Sequence, residues 1–136
     1  MCELLGLSFN QPVIPNLSFR GFRHRGKSNP HGWGLAYYPD ESAQVIKEPI
    51  KANKSLLSKF IENYPGIKSK IIIAHVRYTS GTSITHKNTH PFQREMKGKE
   101  FVFAHNGTLH NYRELKIAVS YTHLRAHETV LDIVCR

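Results

Sequence analysis

The second residue of the chain, Cys2, combines a nucleophilic side chain with a position at the N-terminus. Removal of Met1, which is usual before a small side chain, leaves a thiol and a free α-amine on one residue. An unperturbed thiol has a pKa of ~8.5 and an α-amine one of ~7.7–8.0, so near neutral pH the amine can accept the thiol proton. Cys2 is therefore predicted to be a nucleophile that uses its own amine as base. The alternative is a small buried residue in the first strand.

A second candidate, Arg77, lies in the stretch 74–81, Ala-His-Val-Arg-Tyr-Thr-Ser-Gly. A strand here places His75 and Arg77 on the same face, because side chains alternate between the two faces. An arginine fork matches a carboxylate with two parallel hydrogen bonds, so Arg77 is predicted to bind the α-carboxylate of an amino-acid substrate. A structural ion pair is the alternative. Thr79 and Ser80 would add hydroxyl hydrogen bonds to the substrate, or cap the turn.

The stretch 103–109, Phe-Ala-His-Asn-Gly-Thr-Leu, leads from a predicted strand into the pair Asn106-Gly107. Asn-Gly after a strand is a hairpin signal. The same pair also offers a side-chain amide beside a backbone N–H that no Cβ shields, and two such donors suit an oxyanion. Both interpretations stay open on these residues alone.

His90 lies in the stretch 88–92, Asn-Thr-His-Pro-Phe, and is predicted either to contact a substrate carboxylate or to organise its loop. The histidines His75 and His105, together with Cys2, also raise the question of a metal site. Their spacing matches no zinc-binding pattern. The sequence therefore predicts no metal ion and no cofactor.

The elements that must position these residues are mostly strands. A run over 70–78 that begins with three isoleucines is typical of a strand buried on both faces. One helix, over 55–64, is predicted by apolar residues at helical spacing, namely Leu56, Leu57, Phe60, Ile61 and Tyr64. The other expectations are a first strand over 2–9, a loop over 10–15, a short helix as one option over 17–22, a hairpin of strands 33–38 and 43–48, and a strand over 100–105.

The composition is that of one globular domain. The 136 residues are 40% hydrophobic and contain no apolar run long enough to span a membrane. Two cysteines provide no disulfide framework, and without a secretory signal the expected compartment is the cytoplasm. The net charge of +9, densest over 20–27, raises nucleic-acid binding as an alternative function, although no nucleic-acid motif accompanies the charge.

Taken in order, these stretches resemble a class II glutamine amidotransferase domain of the N-terminal-nucleophile hydrolase superfamily. The resemblance rests on Cys2 and on the segments 32–34, 74–78, 88–92 and 104–107. It is nearest to the small stand-alone bacterial type 4 members. It implies an α+β fold, an αββα sandwich of two antiparallel sheets between helices. The implied partner is a small-molecule substrate, glutamine or another γ-glutamyl compound, with no nucleic acid and no membrane.

The resemblance also assigns roles by position. The implied reaction is attack of a thiolate on a γ-glutamyl amide, release of ammonia or an amine, and hydrolysis of the thioester to glutamate. Since no synthase domain follows, an ammonia acceptor other than water would need a separate synthase protein. The implied site residues are the nucleophile Cys2, the carboxylate-binding Arg77 with Ser80 and His90 beside it, and the oxyanion hole of Asn106 and Gly107.

Two parts of the chain depart from the family pattern. His31 stands before Gly32, where these relatives usually have Asp. The family's acidic residue for the substrate α-amine, in a Thr-Asp-Ser-Glu-like stretch, has no match. The stretch 120–136 resembles translated adaptor DNA joined to a truncated gene. We therefore expect residues 1–119 to be a partial, incomplete amidotransferase domain and residues 120–136 to be a non-native tail, with an inactive fragment as the alternative function.

Overall fold

Six strands and two α-helices make up the described part of the chain, residues 1–107 of a computed structural model. Residues Met1–Asn106 form one compact unit. The expected tail, 120–136, lies outside the described residues. The elements in chain order are β1 (Glu3–Val13), α1 (Asn16–His24), β2 (Trp33–Tyr37), β3 (Gln44–Glu48), α2 (Leu56–Asn63), β4 (Ser69–Val76), β5 (Phe92–Met96) and β6 (Lys99–Phe103), with 3₁₀ turns at Arg25–Lys27, Ala52–Lys54 and His86–Asn88.

The described strands form two antiparallel sheets. The first sheet has the order β1-β4-β2-β3, and the second is the hairpin β5-β6. The predicted hairpin of 33–38 and 43–48 is confirmed as β2 and β3, which pair from Trp33↔Glu48 to Tyr37↔Gln44. β4 pairs with β1 on one side and β2 on the other, so its side chains are held in a fixed register between both neighbours.

The two helices cover one face of the first sheet. Phe19 and Phe22 of α1 and Ile61 of α2 pack into a core with alternate residues of β2 and β4. Burying one large apolar side chain contributes about 1.5–3 kcal/mol, so this layer supplies much of the stability of the unit. The strand residues of the core are Trp33, Leu35, Ile72, Ala74 and Val76.

The second sheet lies on the opposite side of the β2–β3 hairpin. Ile46 of β3 packs against the helix-side core, so its neighbour Lys47 points to the other face. There Lys47 donates a hydrogen bond of 2.8 Å from Nζ to the carbonyl of Thr89 and lies 4.9 Å from the ring centre of Phe92 in β5. The described layers are therefore helices, first sheet and second sheet, in the order expected of an αββα sandwich.

β1 is longer than the sequence predicts. The loop predicted over 10–15 is wrong for residues 10–13, because β1 continues to Val13. Pro12 is tolerated there since β1 is an edge strand in the sheet that the described residues form, and edge strands accept proline. The pairing with β4 shifts between Ser8 and Val13, and Val13 pairs with Ser69. This irregularity absorbs the proline-containing segment.

Both predicted helices are present. The optional helix over 17–22 is α1, and the helix over 55–64 is α2. Ser55 caps α2, because its Oγ accepts a hydrogen bond of 2.8 Å from the backbone N–H of Ser58. Such a cap is worth ~1 kcal/mol. The helix ends at Asn63, before Pro65-Gly66.

α2 buries a different face from the apolar one that the spacing predicts. Of its four apolar residues only Ile61 is buried, and Phe60 is 60% exposed. Glu62 is buried instead, because its carboxylate accepts hydrogen bonds from Arg20 at 2.5 Å and from Arg23 at 3.4 Å. The ion pairs between the helices therefore decide which side of α2 faces α1.

β4 is buried on both faces only toward its C-terminal end. Ile72 lies in the core, whereas Ile71 on the other face is exposed, so the prediction of burial on both faces is wrong at that position. The residues from Ala74 to Val76 are all buried. The difference arises because the second face is covered where the ring of His90 packs against that of His75.

β5 has no counterpart among the predicted strands. Its sequence, Phe-Gln-Arg-Glu-Met, carries charges on both faces and lacks an apolar alternation. Lys97 and Gly98, which link β5 to β6, have φ values of 53° and 73°. Positive φ at both central residues is the geometry of a two-residue hairpin turn that matches strand twist. The turn, more than the strand sequence, defines this hairpin.

Candidate active site

The N-terminal end of β1 and the C-terminal end of β4 bring Cys2 beside Arg77. The strands pair as far as Glu3↔Val76, so the next position in the register sets Cys2 opposite Arg77. The Sγ of Cys2 lies 3.1 Å from both the backbone N and the backbone O of Tyr78. A thiol can donate to that carbonyl, and a thiolate can accept from that N–H. The predicted nucleophile is therefore held by the backbone groups of Tyr78, just beyond the end of the central strand β4.

The guanidinium of Arg77 lies among neutral acceptors. Arg77 is 5% exposed and donates to the hydroxyl of Thr82, to the carbonyl of Ser83 at 3.4 Å and to the carbonyl of His31 at 3.5 Å. Among the described residues no carboxylate forms a salt bridge with it. Burial lowers the pKa of Arg77, and the neighbouring Cys2 opposes that shift. A buried cation with neutral partners favours binding of an anion.

The side chain of Asn106 is held at both ends. Its Nδ2 donates a hydrogen bond of 3.2 Å to the carbonyl of Cys2, and its Oδ1 lies 3.0 Å from Nε2 of His75. A primary amide has two N–H donors, and the carbonyl of Cys2 uses one of them. Asn106 is itself exposed, so the second donor is accessible beside the nucleophile.

Three histidines pack behind Asn106. The ring of His90 lies 4.5 Å from that of His75 and 4.6 Å from that of His105. Burial lowers the pKa of His75 to about 4, although its hydrogen bond with Asn106 favours the charged form. Burial also lowers the pKa of His90, and the charges of His75, His105, Arg77 and Lys47 add to that shift. Both His75 and His90 are therefore neutral near pH 7.

Two glycines let the His90 loop approach the first sheet. A Cβ on Gly34 would collide with the carbonyl oxygen of His90. Gly32 has a φ of +142°, a conformation that other residues rarely adopt, and a Cβ added there would lie 3.0 Å from the side-chain oxygen of Thr89. The segment 32–34 therefore contributes to the site by bringing a loop close to β2.

His31 anchors the residues on either side of Tyr78. Its Nδ1 accepts a hydrogen bond of 2.9 Å from the backbone N–H of Thr79, and its backbone N–H donates one of 2.9 Å to the carbonyl of Arg77. Its ring lies 5.1 Å from that of Tyr78. His31 thus holds the loop beside Arg77, the residue predicted to bind a carboxylate.

The structure brings three of the predicted site residues together, namely Cys2, Arg77 and Asn106. His90 is 5% exposed and contacts His75, a placement that favours its organising role. Ser80 lies on the exposed loop, and Gly107 is the last described residue. His75 was placed on the face of Arg77 by strand alternation, but only the structure reveals its contact with Asn106.

The alternative kinds of site have little support among the described residues. No group of three or more His, Cys, Asp or Glu side chains there is arranged to hold a metal ion. In the basic segment 20–27, Arg20 and Arg23 bind Glu62, and Arg25 lies 3.5 Å from a carboxylate oxygen of Glu3. These three guanidinium groups thus already have carboxylate partners within the protein. No described helix is long and apolar enough to cross a membrane.

Comparison with known protein families shows to which family the chain belongs. A model of the class-II glutamine amidotransferases matches residues 1–124. The chain belongs to this family. The resemblance seen in the sequence is therefore confirmed, and glutamine amide chemistry is the general activity of the family.

Curated proteins give a consistent result. The protein MJ1515 of Methanocaldococcus jannaschii is 50% identical over 117 residues, which are 86% of this chain and 33% of that protein. An Escherichia coli protein named "Putative glutamine amidotransferase YafJ" is 40% identical over 119 residues, 85% of this chain and 46% of that protein. The chain thus spans roughly a third to a half of the length of these relatives.

A solved structure shows the fold. The glutamine phosphoribosylpyrophosphate amidotransferase of Bacillus subtilis superposes with a TM-score of 0.71 at 19% identity, covering 98% of this chain and 28% of that one. The chain therefore shares the fold of this structure, and the predicted α+β fold is confirmed. The expectation of two antiparallel sheets is confirmed.

Proposed function

We propose that the chain hydrolyses the γ-amide of glutamine, or of a related γ-glutamyl compound, through a thioester on Cys2. The observation that carries this proposal is the meeting of Cys2, Arg77 and Asn106 at one end of the first sheet. They supply a nucleophile, a cation and an amide donor, which are the parts that acyl transfer from an amino-acid amide needs. Membership of the amidotransferase family supports glutamine as the donor.

Removal of Met1, which is 95% exposed, begins the proposed chemistry. The new α-amine takes the Sγ proton, the thiolate attacks the γ-carbonyl carbon, and the carbonyl electron pair moves to oxygen. When this intermediate collapses, the C–N bond breaks and ammonia or an amine leaves with the proton from the α-ammonium group. Water, deprotonated by the α-amine, then attacks the thioester and releases glutamate with the thiol restored.

Two groups of the substrate that carry negative charge, the oxyanion of the intermediate and the α-carboxylate, each have a hydrogen-bond donor in this proposal. Asn106, with the backbone N–H of Gly107, stabilises the oxyanion, because such donors act where negative charge develops. Arg77 binds the α-carboxylate, since a charged acceptor forms stronger hydrogen bonds than the neutral acceptors now around it. Ser80 lies on the exposed loop beside this site, and His90 organises the loop beneath it.

Water accepts the γ-glutamyl group in this proposal, the ammonia is either released or transferred to the substrate of a separate synthase protein, and the expected compartment is the cytoplasm. No metal ion, cofactor or nucleic acid takes part. An inactive fragment is the competing proposal. It rests on the expected boundary between an incomplete domain, residues 1–119, and a non-native tail, residues 120–136, and on the missing acidic residue for the substrate α-amine.

An electrophilic glutamine analogue, a diazoketone, tests the proposal without requiring turnover. After mass spectrometry confirms loss of Met1, we expect a single adduct on Cys2 in the wild-type chain, protection by glutamine, and no adduct in Cys2→Ser. Labelling at Cys135 provides an internal control for nonspecific thiol reactivity. Absence of a glutamine-protected adduct on Cys2 contradicts the proposed function. An adduct without glutaminase turnover supports the inactive-fragment proposal.

A further inference from the structure

The imidazole of His75 is enclosed in the middle of the first sheet and has no role in the chemistry described so far. His75 is 0% exposed and lies on β4, directly opposite Gly34 of β2. Its Nε2 is nevertheless within hydrogen-bonding distance of Asn106, at 3.0 Å from Oδ1. A buried polar group is costly unless it is hydrogen-bonded, so this contact accounts for a histidine in the sheet interior.

We infer that His75 is a positioning residue for the oxyanion donor: as a neutral imidazole protonated at Nε2, it fixes the amide of Asn106 with its nitrogen facing Cys2. The inference rests on the proposed function and adds to it. Arg77 and Cys2 act on the substrate directly, whereas His75 acts through Asn106.

The carbonyl of Cys2 determines the orientation of the Asn106 amide. An amide oxygen placed 3.2 Å from that carbonyl would set two acceptors against each other, so the nearer atom is Nδ2. The other end, Oδ1, is then an acceptor that faces Nε2 of His75. Nε2 of His75 must therefore carry the proton. Its Nδ1 makes no contact of hydrogen-bond geometry among the described residues and is left unprotonated, although the backbone carbonyl of His105 near the ring raises the pKa of His75 against the effect of burial.

His90 continues the same chain of contacts. Its Nδ1 lies 3.3 Å from Nε2 of His75, and the two rings meet at 82°. Because that proton belongs to His75, Nδ1 of His90 can only accept, which places the proton of His90 on its own Nε2, a buried atom without a hydrogen-bond partner among the described residues. A positive charge on His90 would place its Nδ1–H against the Nε2–H of His75. Arg77 disfavours a charge on either ring, and Lys47 disfavours one on His90.

The contact with His75 also affects the donor strength of Asn106. A hydrogen bond to Oδ1 draws electron density from the amide nitrogen, so that linked hydrogen bonds strengthen one another. With one N–H on the carbonyl of Cys2 and Oδ1 on His75, the second N–H has one direction left, toward the exposed side of Asn106. Without His75, the amide can rotate and present its oxygen to the reacting carbonyl.

A double-mutant cycle measures this role. His75→Leu removes the donor, and we expect kcat to fall roughly tenfold with KM nearly unchanged, the fold-change that corresponds to one hydrogen bond. His75→Gln retains an N–H near the Nε2 position and should restore most of the rate. In an Asn106→Ala background His75→Leu should cost less than about twofold, because residues that act as a unit are not additive. His24→Leu, at an exposed histidine, is the matched control.

The imidazole ¹⁵N spectrum of the wild-type 136-residue chain tests the same inference without turnover. We expect a long-range ¹H–¹⁵N pattern with Nε2 protonated and Nδ1 bare for both His75 and His90, assigned by loss of signals in His75→Gln. A proton on Nδ1 of His75, or an imidazolium, overturns the inference. Equal losses of kcat from His75→Leu in the wild-type and in the Asn106→Ala background also overturn the inference. Inertness of Cys2 toward the diazoketone, with the expected tautomers present, instead contradicts the proposed function alone.

Discussion

Acidification should destabilise the folded chain because two enclosed imidazoles stay neutral in it. Burial lowers the pKa of His75 to about 4 from the ordinary 6.5 that an unfolded chain would show. Between these values the unfolded chain binds a proton that the folded chain does not. The stabilisation is therefore complete above the unfolded pKa, decreases as pH falls, and is fully lost below the folded pKa.

The size of the effect follows from the same shift. A pH of about 5 is ~1.5 units below the pKa of His75 in the unfolded chain. This difference corresponds to ~2 kcal/mol of lost stability. Burial lowers the pKa of His90 further. The titration of His90 should therefore add a similar loss of stability at that pH. The total of roughly 4 kcal/mol is a large part of the 5–15 kcal/mol that typical domains possess.

Urea titrations monitored by the fluorescence of Trp33, the only tryptophan and a buried one, would measure this loss. Wild-type stability should fall between about pH 7.5 and about pH 5, with a slope approaching ~2.7 kcal/mol per pH unit from two protons. His75→Gln removes one titrating ring, so its slope should be lower by ~1.4 kcal/mol per pH unit. A flat pH profile in the wild type, or an identical slope in His75→Gln, would show that the reasoning is wrong.

Three further substitutions have definite expected outcomes. Gly34→Ala should destabilise the chain by about 2–4 kcal/mol in urea titrations, because its Cβ collides with the carbonyl of His90, whereas Gly21→Ala on α1 meets open space and should stabilise it by ~0.5–1 kcal/mol. Arg77→Lys should raise KM for glutamine at least ~10-fold in a glutaminase assay, with a smaller change in kcat. The reason is that a point charge replaces a donor that forms two parallel hydrogen bonds with a carboxylate. An unchanged KM would contradict the role assigned to Arg77. Ser55→Ala should cost at least ~1 kcal/mol, measured as the shift in urea midpoint, because the Oγ of Ser55 both caps α2 and donates a hydrogen bond to the carboxylate of Glu48; a neutral result would contradict a stabilising role for either contact.

The elements that local sequence encodes were predictable. The hairpin of β2 and β3, the helix α2 and the strand that leads into Arg77 all depend on patterns within about ten residues. The face that α2 buries was not predictable from local sequence, because the ion pairs of Glu62 with α1 join residues about 40 positions apart. Apolar periodicity alone carries no information about such a partner.

The candidate site shows the same division. Cys2, Arg77 and Asn106 were selected by residue type and family pattern, and the antiparallel register of β1 and β4 explains why the first two meet. The role inferred for His75 requires the positions of single atoms, since only the contact of Oδ1 with Nε2 distinguishes it from a core histidine. β5 was missed because a two-residue turn with positive φ, and not its own composition, defines it.

The register of β1 also restricts how the gene can vary in length. One residue inserted between Cys2 and Glu3 would move the sulfur by one strand step, ~3.3 Å, and turn it to the opposite side of the sheet. Near Val13, where the pairing is already irregular, an added residue would only enlarge an existing bulge. Insertions and deletions should therefore accumulate at the far end of this strand, while the spacing at its beginning stays constant.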